Sequence, residues 1–207
     1  MADLKTTVGG LELATPVIAA SGTYGYGCEY DGLVDWSMVG AVSVKGISLE
    51  PVTGHPPPRM VETAAGMLNA IGLQNIGFES FVTDKLPALC GLGPRVVVNC
   101  FGADIDAYAA IVERLDGCKG ISAIEVNLSS PNKREWAALG APGAIPAADA
   151  GITAEIVGRV RRATTLPLWV KLSPNVTDIT TIAAVAEAAG ADAIVAINTL
   201  RAMAVDV

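Results

Sequence analysis

Residues 123–132 read Ala-Ile-Glu-Val-Asn-Leu-Ser-Ser-Pro-Asn, a short apolar run that ends in carboxamides and hydroxyls. The same grammar recurs along the chain. Apolar, β-branched runs at Pro16–Ser21, Ala41–Lys45, Arg95–Cys100, Ala123–Leu128, Leu168–Leu172 and Ala193–Ile197 are near-continuously hydrophobic rather than alternating. Strands read this way when a parallel sheet buries both faces. Helical periods lie between them. Ile105, Tyr108, Ala109, Val112 and Leu115 share one face, as do Ile152, Ile156, Val157, Val160 and Ala163. A third face holds Ile179, Ile182, Ala183, Ala186 and Ala189, after the cap candidates Thr177 and Asp178. Alternating strand and helix predicts a parallel α/β fold. Ahead of the first run, Thr6–Val8, Gly9-Gly10 and Leu11–Leu13 predict a small β-hairpin turning on the glycine pair.

Polar and glycine residues bunch just after the runs: Ser21-Gly22-Thr23, Lys45-Gly46, Asn99, Asn127 to Asn132, Lys171 and Asn198-Thr199. A (β/α)8 TIM barrel builds one shared active face from the C-terminal ends of its strands. An open doubly wound sheet concentrates its site at a switch point behind a Gly-rich first turn. Here the first turn is Ser-Gly-Thr-Tyr-Gly-Tyr-Gly, without a G-x-G-x-x-G, so the barrel is favoured. The 207 residues read as one domain, 1–207, with six barrel strands. A closed barrel needs eight strands and typically about 250 residues. The expectation is a C-terminally incomplete barrel, completed either by a longer chain or by something else.

Composition narrows the function. Hydrophobic residues make up 51% and charged residues 17%, which excludes disorder. The net charge of −7 and the lack of any basic cluster beyond Arg159, Arg161 and Arg162 argue against a nucleic-acid partner. The start, Met-Ala-Asp-Leu-Lys, is not a signal-peptide pattern. The apolar stretches are interrupted by Glu12, Glu187 or Asp192 before reaching spanning length, so no membrane association is expected. Four cysteines without a C-x-x-C pair, and a single histidine, His55, give no metal site and predict reduced thiols in a cytoplasmic enzyme.

Three constellations carry chemistry. Asn127 and Asn132 flank Ser129-Ser130-Pro131, a cradle of donors and acceptors for a planar, imide-like ligand. Taken alone, the segment reads first as a strand-capping Asn/Ser/Pro turn. Met67 to Asn75 offers the Asn69 carboxamide, close backbone approach at Gly72 and apolar walls at Ile71 and Leu73. Spacing does not separate that from a loop leading into a helix near Ile76–Leu86. Lys45 and Lys171 end buried apolar runs, where a lysine is costly unless it meets something anionic or electron-rich.

Together, Ala19 to Gly22, Val44 to Gly46, Met67 to Asn75, Val98-Asn99, Asn127 to Asn132, Val170 to Asn175 and Ile197 to Thr199 resemble the class 1 dihydroorotate dehydrogenases. The likeness is closest to the FMN-carrying catalytic subunit of the NAD-linked class 1B type, and covers essentially the whole chain. It implies an FMN-binding TIM barrel that oxidises (S)-dihydroorotate to orotate in de novo pyrimidine (UMP) biosynthesis. Ser21, Lys45, Gly46, Asn99, Asn127, Lys171 and Ile197 would contact the flavin. Lys45, Asn69, Ala70, Ile71, Gly72, Leu73, Asn127, Asn132, Asn198 and Thr199 would line the dihydroorotate/orotate site. The implied partner is an FAD and [2Fe–2S] subunit passing electrons to NAD⁺, around a homodimer core or in a heterotetramer.

The sequence departs from that pattern at the base. Ser130 stands where class 1A and 1B members usually carry cysteine, while serine is the base of the membrane-bound class 2 enzymes. Ser130 is therefore the predicted catalytic base, and a hydroxyl needs a neighbour or water chain to pass its proton on. The family's FMN-phosphate loops follow strands seven and eight, so weak or no flavin retention is expected of these residues. Three readings stay open beside this one: a Schiff-base aldolase using Lys171 or Lys45, a flavin barrel acting on another pyrimidine, and a truncated relative without catalysis.

Overall fold

The computed structural model describes residues 3–131 and 145–205. The predicted N-terminal hairpin is β1 (Thr6–Val8) and β2 (Leu11–Leu13), antiparallel, with Thr6 opposite Leu13. Gly9 and Gly10 take φ of 52° and 80° in its turn, a conformation that glycine adopts at no steric cost. The strands β3 (Ile18–Ala19) and β4 (Ala41–Ser43) follow. Next come a second hairpin, β5 (Met60–Thr63) and β6 (Gly66–Asn69), and a helical stretch. That stretch runs from α1 (Gly77–Ser80) through a π-helical turn at Phe81–Lys85 into α2 (Leu86–Leu92). The remainder alternates: β7 (Arg95–Cys100), α3 (Ile105–Asp116), β8 (Ile121–Asn127), α4 (Ala150–Arg161), β9 (Leu168–Lys171), α5 (Ile179–Ala188) and β10 (Ala193–Val195).

Six strands form one parallel sheet in the order β10-β9-β8-β7-β4-β3. Apart from the inserted β5–β6 hairpin, the order is monotonic in the chain, so the sheet has no switch point and winds in one direction. Single winding is how a barrel wall is built; a doubly wound sheet reverses. Side chains show that the wall curls. β3 and β9 are four strand spacings apart, roughly 19 Å in a flat sheet. Yet Ser21, two residues beyond β3, accepts a hydrogen bond from Lys171 of β9 at 2.9 Å. The six strands are an arc of a TIM-barrel wall, as the sequence predicts.

The strands alternate between two surroundings. Outward residues such as Val42, Val96, Val98, Ile124, Val126, Leu168 and Val170 pack with Tyr108, Ile111, Val112 and Leu115 of α3, Ile156, Val157 and Val160 of α4, and Ile182 of α5. Each of these helices is capped by an aspartate. Asp104, Asp149 and Asp178 accept hydrogen bonds from Ala107, Ile152 and Thr180 N–H groups at 2.8, 2.8 and 2.9 Å. Inward residues at the N-terminal ends of the strands, Ala41, Val97, Ala123 and Trp169, form a second apolar cluster under Leu11 and Leu13 of the first hairpin. Among the described residues, no helix is long and apolar enough to cross a membrane.

Candidate functional site

Strand parity converts the apolar lower interior into a polar upper one. Two residues on from Ala41, Val97, Ala123 and Trp169 come Ser43, Asn99, Glu125 and Lys171, all buried, and Asn127 follows Glu125 on the same face. A cavity of about 730 Å³ opens over this layer. The segment after β3 contributes Ser21, Gly22 and Thr23, and the turn after β4 contributes Lys45 and Gly46. Asn99, Asn127 and Lys171 rise from the strands, and Ser130, Asn198 and Thr199 come from the loops above them. The far wall is the β5–β6 hairpin with the segment after it: Asn69, Ile71, Gly72, Leu73 and Gln74, with Arg59 at the hairpin's root.

The layer beneath the cavity is organised around Glu125. Its carboxylate accepts from Ser21 Oγ at 2.7 Å, Ser43 Oγ at 2.9 Å and Asn99 Nδ2 at 2.5 Å. The Lys171 ammonium lies 3.8 Å away. Such a charge is costly to bury unless it is paired and hydrogen-bonded, and this one is both. Asn127 is held from two sides. The Tyr108 hydroxyl of α3 donates to its carbonyl at 2.8 Å, and its own Nδ2 donates to Asn99 Oδ1 at 3.4 Å. Asn198 Nδ2 reaches Asn127 Oδ1 at 3.2 Å and Ser129 Oγ at 3.0 Å, joining the loop after β10 to the loop after β8.

The wall is pinned by its backbone. His55 N–H donates to Ile71 C=O at 3.0 Å, and Ala70 N–H donates to Arg59 C=O at 2.9 Å. The His55 ring meets Ala70 C=O through Nδ1 at 2.9 Å. Gly72 sits against that ring at φ 74°, and a Cβ there would lie 2.7 Å from it. Arg59 holds the Gln74 carboxamide and donates to His55 C=O. Gly46 is equally constrained, since a Cβ would come within 2.7 Å of Asn99 Oδ1. Burial pushes the Lys45 ammonium below its ordinary range, and the Arg59 guanidinium adds to the effect while Glu29 opposes it. Two cations facing one cavity suit an anionic group between them. Burial drives the Cys100 thiol far up, so it packs in the core and offers no thiolate.

Most of the predicted residues therefore converge. Ser21, Lys45, Gly46, Asn69, Ile71, Gly72, Leu73 and Asn99 line the cavity, together with Asn127, Ser130, Lys171, Asn198 and Thr199. Ala70 and Ile197 do not: Ala70 spends its backbone on Arg59 and His55, and Ile197 is 43% exposed. Asn132 lies outside the described residues. Sequence reasoning missed Glu125, Ser43 and Arg59. The signal for Glu125 was present, because it shares strand parity with Asn127.

The family model for dihydroorotate dehydrogenase matches residues 3–207. The catalytic subunit of dihydroorotate dehydrogenase B (NAD(+)) from Citrifermentans bemidjiense is 45% identical over 204 residues, covering 99% of this chain. The corresponding subunit from Desulforudis audaxviator is 48% identical over 206 residues, again 99% of this chain. The chain spans 65% of the length of each of these relatives. Among solved structures, the crystal structure of DHODH from Eimeria tenella in complex with ferulenol superposes with a TM-score of 0.73 at 22% identity, covering 96% of this chain and 60% of that one. That likeness speaks for the fold, and the sequence matches speak for descent. The chain belongs to the dihydroorotate dehydrogenase family.

Proposed function

We propose that the chain forms the catalytic face of an FMN-dependent dihydroorotate dehydrogenase of the NAD-linked type, oxidising (S)-dihydroorotate to orotate in de novo pyrimidine biosynthesis. The observation that carries this reading is the convergence of two lysines, four asparagines and Ser130 on one cavity at the strand C-termini. The residues fit a flavin. The carboxamides of Asn99 and Asn127 and the Lys171 ammonium offer the mixed donors and acceptors that a ring edge of carbonyls and nitrogens needs. Gly46, where a Cβ would strike Asn99, leaves the backbone bare beside them. When bound, FMN supplies the acceptor for the hydride from C6 of the substrate.

The chain's own residues account for the rest. Lys45 and Arg59 hold the substrate carboxylate between two positive charges. Asn69, Asn127 and Asn198 meet the alternating carbonyl and N–H edges of the ring, while Ile71 and Leu73 exclude water beside it. Ser130 takes the proton from C5 as its own hydroxyl proton passes on through a water chain, so that loss of the C5 proton and of the C6 hydride leaves the C5=C6 double bond of orotate. The reading extends to a partner subunit carrying FAD and a [2Fe–2S] cluster with NAD⁺ as final acceptor, to a homodimer core or heterotetramer, and to the cytoplasm. Lys171 spends its ammonium on Ser21 and Glu125, which supports a fixed cation over a Schiff-base nucleophile. The test is an anaerobic visible spectrum of the chain with FMN, before and after dihydroorotate. Bleaching of the flavin band is expected. A bound flavin that stays oxidised overturns the substrate assignment, and a chain that binds no FMN overturns the proposal that these residues hold the flavin by themselves.

A further inference from the structure

Glu125 is 2% exposed, and nothing in the reaction as described uses it. A carboxylate has acceptors only, so each neighbour must turn a hydrogen toward it. The consequence propagates through the layer. Asn99 gives its Nδ2 to Glu125, which leaves its Oδ1 to accept from Asn127 Nδ2. Asn127 is thereby turned so that its Oδ1 accepts from Asn198 Nδ2, from Ser129 Oγ at 3.2 Å and from Ser129 N–H at 3.2 Å. Asn198 keeps its own Oδ1 for Thr199, whose N–H and hydroxyl donate at 2.8 and 3.0 Å. Ser21 has one hydroxyl hydrogen and gives it to Glu125, so it accepts from Lys171. One acceptor at the base orders three carboxamides and an ammonium.

We propose that Glu125 is a positioning residue: its buried carboxylate sets the hydrogen-bond direction of the Asn99–Asn127–Asn198 row and anchors Lys171, and so fixes the donors and acceptors that the cavity presents. Glu125 acts through these residues and touches no ligand itself. The consequence for FMN rests on the proposed function, whereas the link between Glu125 and Lys171 stands on geometry alone. Two readouts keep these separate.

The first uses the full chain without flavin. Acylation of Lys171 by acetic anhydride is followed by peptide mass spectrometry in wild type, Glu125→Gln, Glu125→Asp and Ser43→Ala. A buried ammonium without its counter-charge loses its proton more readily. Lys171 in Glu125→Gln is expected to react about tenfold faster at pH 7.5, equivalent to about 1.4 kcal/mol. Glu125→Asp, which keeps the charge, should stay within threefold of wild type, and Ser43→Ala, which removes a donor and no charge, within twofold. An unchanged rate in a Glu125→Gln chain with native near-ultraviolet dichroism overturns the proposal. Should that variant fail to fold, a folded Glu125→Asp chain decides: protection of Lys171 supports the proposal, and a tenfold faster reaction overturns it. The second readout is quenching of FMN fluorescence, expected to show about tenfold weaker binding by Glu125→Gln. Unchanged FMN affinity in that variant overturns the ordering role. No quenching by wild type overturns the claim that these residues hold the flavin by themselves, and the acylation result then decides the proposal.

Discussion

The lower and upper halves of the barrel interior are built on the same strands, two residues apart, and do opposite work. Below, Ala41, Val97, Ala123 and Trp169 pack under the first hairpin, and their contribution is apolar burial. Above, Ser43, Asn99, Glu125 and Lys171 are as buried as the residues beneath them but are tied by directional hydrogen bonds. Apolar packing tolerates adjustment; a hydrogen-bonded charge network admits one arrangement. Stability is concentrated in one storey and recognition in the next, so substitutions should separate the two.

The largest separation is expected at Ser130. Ser130→Ala should lower turnover by about 10²–10⁴-fold, the usual worth of a positioned base, while FMN and orotate binding stay near wild type. Stopped-flow flavin reduction beside equilibrium binding measures both, and normal reduction in the variant would remove Ser130 from the base role. Trp169→Ala should do the reverse, costing about 3–5 kcal/mol in denaturant unfolding with ligand affinity kept in the folded fraction. Lys171→Met is expected to blur the boundary. It leaves Glu125 buried without its cation, a loss of about 3 kcal/mol in stability on top of weakened FMN binding. Equal stability of that variant and wild type would mean that the pair contributes nothing to the fold.

Smaller effects sharpen the contrast. Trp169 Nε1 has no hydrogen-bond partner among the described residues, although it is fully buried. Trp169→Phe removes that unsatisfied donor as it removes volume, so the two terms offset and the net cost should be about 1 kcal/mol, read by the same unfolding curves. The smallest effect concerns Lys45, whose folded-state pKa lies below the ordinary 10.5 because of burial and then Arg59. Between the folded value and 10.5 the unfolded chain binds the extra proton, so the penalty for burying this charge is full at lower pH and fades as pH rises. Subtracting the stability–pH curve of Lys45→Met from that of wild type should give a difference that rises through the alkaline range. A flat difference would show that Lys45 is as solvated in the fold as outside it.

The outward half of each strand was legible because burial on both faces writes continuous apolar runs. All six runs became strands, with ends shifted by no more than two residues, and Asp178 proved to be the cap of α5. The β5–β6 hairpin was not legible. Met60–Thr63 is exposed throughout and Gly66–Asn69 nearly so, and a hairpin with no buried face leaves no alternation to read. The π-helical turn at Phe81–Lys85 was also hidden, since one widened turn barely disturbs a helical period. At the site, residues with evident chemistry and a place after a strand were found. Glu125 was passed over inside an apolar run, and Arg59 sits in a loop whose path no local pattern predicts. Ala70 and Ile197 came from resemblance, and their positions show how backbone contacts and exposure differ from lining a cavity.

Single winding also has a kinetic consequence. Each strand of the arc pairs with the next in the winding order, so the wall can extend stepwise, with its longest loop closure between β4 and β7. The contacts of Ser21 reach further: its hydroxyl meets Glu125 across 104 residues of sequence and Lys171 across 150. Contacts of such long separation form late in folding. The layer beneath the cavity therefore closes only after β9 has docked, and the ability to hold a ligand should appear as a slower phase than secondary structure when the chain refolds.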